Sequence, residues 1–143
     1  MNNKKIIIIV SAIILIIVGL LVLFFNVKAE IKEDVSLYFT NENGEKVNAS
    51  DGVRSTKTVG NYLIENSQIT RTNGISTLTA KVINNGKDEK NVRFKVTFYD
   101  GNNTILATTT VVAGNIKNGD STFIDAGIST DVIDAVNLTY EIK

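Results

Sequence analysis

Residues 6–25 are twenty consecutive positions without a charge, interrupted only by Ser11, Ala12 and Gly19. At about 1.5 Å per residue, a helix over this run reaches roughly 30 Å, the hydrocarbon thickness of a bilayer. A helix apolar on every side needs lipid or a large core to cover it, and a chain of 143 residues has no such core to spare. The expected organisation is a tail at 1–5, a transmembrane helix at 6–25, a juxtamembrane linker or extra hairpin at 26–57, and a folded domain at 58–143. Lys4 and Lys5 precede the helix, so the positive-inside rule predicts a single pass with the N-terminus in the cytoplasm and the C-terminal part outside. The competing expectation is a signal peptide. Val27-Lys28-Ala29 has the small-x-small pattern of a cleavage site, and a cut behind Ala29 releases a chain starting at Glu30. The apolar run exceeds the roughly 7–15 residues of a signal-peptide core, which favours the anchor.

The chain has no His, no Cys, no Pro and no Trp. It therefore lacks an imidazole base, a thiolate nucleophile, a Cys/His zinc site and any disulfide, which removes most residue-based catalytic schemes. An exported domain without cysteine is held by its core alone, and this favours a bacterial surface over an oxidising eukaryotic compartment. Setting aside Lys4, Lys5 and Lys28 leaves 12 bases against 15 acids, so the part after Lys28 carries a formal charge of −3. Its Lys and Arg are scattered singly, without the clustering that phosphate backbones demand, and nucleic acid is not an expected partner.

Beyond the apolar run the pattern is that of strands. Val92, Phe94, Val96 and Phe98 alternate with Arg93, Lys95, Thr97 and Tyr99, the period-2 signature of a strand with one buried face. Asp100-Gly101-Asn102-Asn103 turns this strand into a β-branched partner over 104–112. Asn73-Gly74 separates strands expected near 62–71 and 75–84, the second with Leu78, Ala80 and Val82 on one face. Asn118-Gly119-Asp120 leads into a strand over 121–125, and Val136, Leu138, Tyr140 and Ile142 alternate at the end of the chain. Ser129 or Thr130 is positioned to cap a single helical turn. Val35, Leu37 and Phe39 alternate with Ser36, Tyr38 and Thr40. Asn43-Gly44 would fold that segment into a small hairpin, unless it is a solvated stalk. Six or seven short strands with turn signals between them predict an all-β, antiparallel β-sandwich, immunoglobulin-like in architecture but without the Cys and Trp of antibody domains.

Three segments, Val82-Ile83-Asn84-Asn85, Val96-Thr97-Phe98-Tyr99-Asp100 and Ile116-Lys117-Asn118-Gly119-Asp120-Ser121-Thr122-Phe123, resemble the FxLYD domain family over residues 62–142. In that family a strand ends in N-N or N-S, another in a hydrophobic-Tyr-Asp turn, and an L-x-x-G-E-x-x-x-F element follows. Here Val96 replaces the first Phe, Phe98 stands for Leu, Ile116 for Leu and Asp120 for Glu. The resemblance implies an extracytoplasmic immunoglobulin-like module of bacteria, often behind an N-terminal membrane segment, with no established catalytic activity and no binding residues to carry over.

The candidate sites all have structural readings beside them. Tyr99-Asp100 sits at a strand end where loops cluster, but Asp100 suits an Asx-type turn and Tyr99 a sheet edge. Asp100-Gly101-Asn102-Asn103 lacks the ligand spacing of a calcium loop. Asp120 with Asp125, or Asp131 with Asp134, would give a weak oxygen-rich cation site, but solvated turn carboxylates account for them as well. A Ser/Lys pair is the one nucleophilic scheme still open to this composition, and no S-x-x-K spacing occurs after the apolar run. Sequons at Asn48, Asn102 and Asn137 carry no weight under the bacterial reading, and Asn and Thr this frequent generate such triplets by chance. No catalytic residue, cofactor or metal is expected, and no binding residue is singled out. The expected function is a membrane-anchored extracytoplasmic β-sandwich with a non-catalytic binding or scaffolding role at the bacterial cell surface. A secreted domain binding wall polymer or a surface protein, and a small accessory subunit of a membrane transport or secretion complex, are the rivals.

Overall fold

In the computed structural model residues 37–143 are described, and they form two antiparallel sheets packed face to face. Nine strands follow in order: β1 (Tyr38–Thr40), β2 (Lys46–Asn48), β3 (Lys57–Val59), β4 (Tyr62–Thr72), β5 (Ile75–Asn84), β6 (Glu89–Tyr99), β7 (Ile105–Ile116), β8 (Ser121–Ile128) and β9 (Asn137–Ile142). A single helical turn, α1 (Asp51–Arg54), lies between β2 and β3. One sheet runs β1-β2-β4-β5-β8 with β3 beside β4, and the other runs β7-β6-β9. The anchor expected at 6–25, and the cleavage site at Ala29, lie outside the described residues. Among the described residues no helix is long and apolar enough to cross a membrane.

The two sheets meet because their strands alternate as half-buried strands must. From β5 come Leu78, Ala80 and Val82, and from β6 come Val92, Phe94, Val96 and Phe98, all buried. Phe94 is the centre of an aromatic cluster, edge-on to Tyr62 at 5.3 Å and to Tyr140 at 6.1 Å between ring centroids. The β4–β5 hairpin turns on Asn73 and Gly74, both at positive φ (50° and 83°), as a tight two-residue turn requires.

Strict alternation fails in β4. Tyr62 and Ile64 face inward, and so do Ser67 and Ile69, an odd number of residues further on. A bulge between Glu65 and Gln68, with Asn66 at φ 53°, absorbs the extra residue and restores the inward face.

Several sequence expectations need correction. The folded unit spans Ser36–Lys143, so the boundary expected at 58 falls inside β3, and most of the expected linker belongs to the sandwich. The hairpin reading of its first part is met by β1 and β2, paired Tyr38↔Asn48 to Thr40↔Lys46. Its faces are reversed: Tyr38 packs against the core and Phe39 is 52% exposed. The helical turn expected after Ser129 or Thr130 is absent: the chain makes a tight turn with the Ala135 N–H on the Val132 carbonyl, and Asp131 Oδ1 accepts the Ile133 N–H at 3.2 Å. Ile142, expected on the buried face of β9, is exposed.

Candidate functional site

β4 is longer than either neighbour on its outer side. β2 pairs with it at Thr70 and Arg71, and β3 pairs with it from Tyr62 to Ile64. Between these two short strands the bulged stretch has no strand partner on that edge among the described residues, and α1 sits opposite it. Val53, fully buried, plugs the gap between the sheets. Gly52 forms a parallel bridge to Asn137, and the Ser50 hydroxyl donates to the Val136 carbonyl, so α1 is tied to β9 of the other sheet.

What remains over the bulge is an open groove of about 680 Å³. Its floor is Val47, Asn48 and Ser67, all buried, and each is committed to the fold. Asn48 Nδ2 donates to the carbonyls of Ile133 (2.6 Å) and Ala135 (2.8 Å), and the Ser67 hydroxyl is 2.9 Å from that of Tyr140. The rim is different in kind. Phe39 is half exposed, and Asp51, Arg54, Asn66 and Gln68 are exposed around it.

At one end of the groove Lys57 Nζ lies 2.9 Å from the Ser55 hydroxyl, a Ser/Lys pair two residues apart that S-x-x-K spacing does not describe. The same ammonium donates to the Gly52 carbonyl at 2.9 Å and to Asn137 Oδ1 at 3.2 Å. Three oxygen acceptors use all three N–H bonds of an ammonium and leave no lone pair to take a proton. Burial lowers the Lys57 pKa from its ordinary value, but this geometry favours the charged form. The pair is a strut that joins α1, β3 and β9.

The residues singled out in the sequence occupy other places. Asp100 Oδ1 accepts the N–H groups of Asn102 and Thr104, both at 2.8 Å, the Asx-type turn expected of it, and Tyr99 is half buried beside it. Asp131 is taken by Arg71 Nη1 at 3.0 Å and by the Ser76 hydroxyl at 3.3 Å, while Asp134 is exposed. Asp120 and Asp125 are exposed at the start and middle of the β8 region. Among the described residues no group of three or more acidic, His or Cys side chains is placed to hold a metal. Asn84 of the Asn-Asn motif is fully buried, donating to the carbonyls of Lys87 and Ile116, and is a structural residue. Sequence reasoning passed over the groove because its residues come from β1, β2, α1 and a bulge. None of them shares a motif. The one local signal was the run of polar residues Glu65-Asn66-Ser67-Gln68 inside an otherwise apolar strand.

Compared with known protein families, with curated proteins and with solved structures, the chain matches none.

Proposed function

We propose that this chain is a single-pass membrane protein displaying an immunoglobulin-like β-sandwich on the outer side of a bacterial cytoplasmic membrane, where it acts as a non-catalytic binding or scaffolding module. The observation that carries the binding role is the groove over the β4 bulge, whose floor is locked by internal hydrogen bonds while its rim presents free polar groups and one aromatic ring. Its one Ser/Lys pair has the ammonium saturated, which speaks against covalent catalysis there. The membrane part rests on the apolar run at 6–25 and its flanking Lys4 and Lys5.

Connectivity supports the immunoglobulin-like reading. Reading β4, β5, β6, β7, β8 and β9 as strands A, B, C, C′, E and F gives sheets A-B-E and C′-C-F, the partition found in immunoglobulin-type sandwiches. β1 to β3 are then additions on the outer edge of strand A, and β1, β2 and α1 build the groove with the bulge.

Intact mass of the protein from membrane, wall and medium fractions of its native cells tests the proposal. A full-length species confined to membranes is the expected result. A species starting at Glu30 in the wall or medium overturns the anchor and leaves a released binding domain.

A further inference from the structure

Four planar polar side chains on the groove rim have no partner within the described residues. The Asp51 carboxylate, the Arg54 guanidinium and the carboxamides of Asn66 and Gln68 are exposed, and no hydrogen bond or ion pair engages them. They surround a phenyl ring, Phe39, that is 52% exposed because Tyr38 takes the inward face of β1. The positive and negative charges balance, so the rim selects for no net charge. An apolar ligand finds little here, because only Phe39 and Val47 among the lining residues are apolar.

We infer that this groove is a sugar-binding site for a short stretch of an uncharged glycan, one pyranose ring lying on Phe39 and its neighbouring hydroxyls held by Asp51, Arg54, Asn66 and Gln68. A pyranose has an apolar C–H face, which suits the negative face of an aromatic ring. Its adjacent hydroxyls are donors and acceptors at a spacing that carboxylates, guanidinium groups and carboxamides meet with two parallel bonds. A volume of about 680 Å³ lies within the range of ligand sites. An extended peptide adding to the free edge of β4 fits less well. Such addition needs a regular ladder, and this edge is interrupted by the bulge at Asn66 and blocked on either side by β2 and β3.

The inference rests on the binding-module reading above but not on the membrane anchor, so cell fractionation leaves it untouched. Its test is titration calorimetry of the full chain in a detergent without a sugar headgroup. The probes are hexamers of β-1,4-linked glucose, β-1,4-linked N-acetylglucosamine and α-1,4-linked glucose, with a Thr-Val hexapeptide in parallel. The expected result is saturable binding of at least one sugar, weakened tenfold or more in Phe39→Ala and in Gln68→Ala. Phe123→Ala, which removes an exposed ring from the opposite edge of the same sheet, should bind like the parent. Thermal melts verify that the three variants fold, as expected for exposed positions. Absence of sugar binding, sugar binding indifferent to both rim substitutions, or binding of the peptide alone would each overturn the inference. A membrane-confined protein that binds no sugar would still stand as an anchored scaffold.

Discussion

The Tyr140 hydroxyl of β9 lies 2.9 Å from the Ser67 hydroxyl of β4, a hydrogen bond that crosses the core from one sheet to the other. It exists because the β4 bulge turns Ser67 inward where simple alternation would have turned it out. Burial pushes the Tyr140 pKa up to about 12, against a smaller opposing effect of the Ser67 hydrogen bond. The pH dependence follows from that shift. An unfolded tyrosine ionises near pH 10, so between about 10 and 12 the unfolded chain has released a proton that the folded chain keeps. The contribution is fully present below pH 10 and is lost as pH rises, at about 1.4 kcal/mol per unit. Urea midpoints measured from pH 9 to 12 should fall steeply in the parent. Tyr140→Phe should fall less, keeping the share from Tyr62, whose pKa burial and then Glu89 raise. Equal slopes would show that Tyr140 ionises without opening the core.

Asn48 and Asn84 do the same work at opposite ends of the sandwich. Each is buried and donates its amide N–H bonds to two carbonyls: the distant Ile133 and Ala135 for Asn48, and the neighbouring Lys87 and the distant Ile116 for Asn84. Replacing Asn48 by Ala strands two buried acceptors and replacing Asn84 strands one, with the Lys87 carbonyl only partly buried, at a cost of about 2–4 and about 1–3 kcal/mol respectively. Equilibrium denaturation should show this loss at both positions, and a double variant should be close to additive because the sites share no partner. A loss below about 0.5 kcal/mol at Asn48 would mean that water replaces the amide.

Why these two asparagines and the groove were hard to read while the strands were easy is a matter of range. Val92, Phe94, Val96 and Phe98 declare a buried face within seven residues of chain, and all four are buried. Asn73-Gly74 declares its turn through positive φ alone. Asn48, by contrast, reads as part of a sequon or a loop until Ile133 and Ala135 are brought to it from 85 and 87 residues away. Phe39 reads as a core residue by alternation because nothing local reveals that β1 is a sheet edge beside a groove. The bulge at Asn66 is likewise a tertiary decision: it lets both Ile64 and Ile69 reach the core, and only the opposing sheet rewards that.

Gly52 is fixed by proximity. A Cβ there would overlap the Val136 carbonyl oxygen and press on Asn137, both backbone or near-backbone atoms that cannot step aside. Gly52→Ala should therefore lift α1 off β9 and loosen the fully buried Val53, costing about 1–3 kcal/mol as overpacking does. Faster amide exchange should appear over 50–54 and 136–138 with the β5–β6 core unchanged. Uniform loss of protection across both sheets would indicate that α1 is integral to global folding, not a local brace.

Ser55 and Lys57 offer the sharpest chemical test. A nucleophilic serine needs a neighbouring base that is free to accept its proton, and Lys57 has committed its three N–H bonds to Gly52, Ser55 and Asn137. A fluorophosphonate that labels activated serines should leave the full chain unmodified by intact mass at pH 8, and Ser55→Ala should lose little stability because the residue is exposed. Lys57→Met keeps the stem and removes the three charge-assisted bonds that hold α1 to β9, and should cost about 1–2 kcal/mol. Labelling at Ser55 that disappears in Lys57→Met would reverse this reading. It would mean that the ammonium releases its proton within the groove, and the site would then have to be treated as a hydrolase dyad.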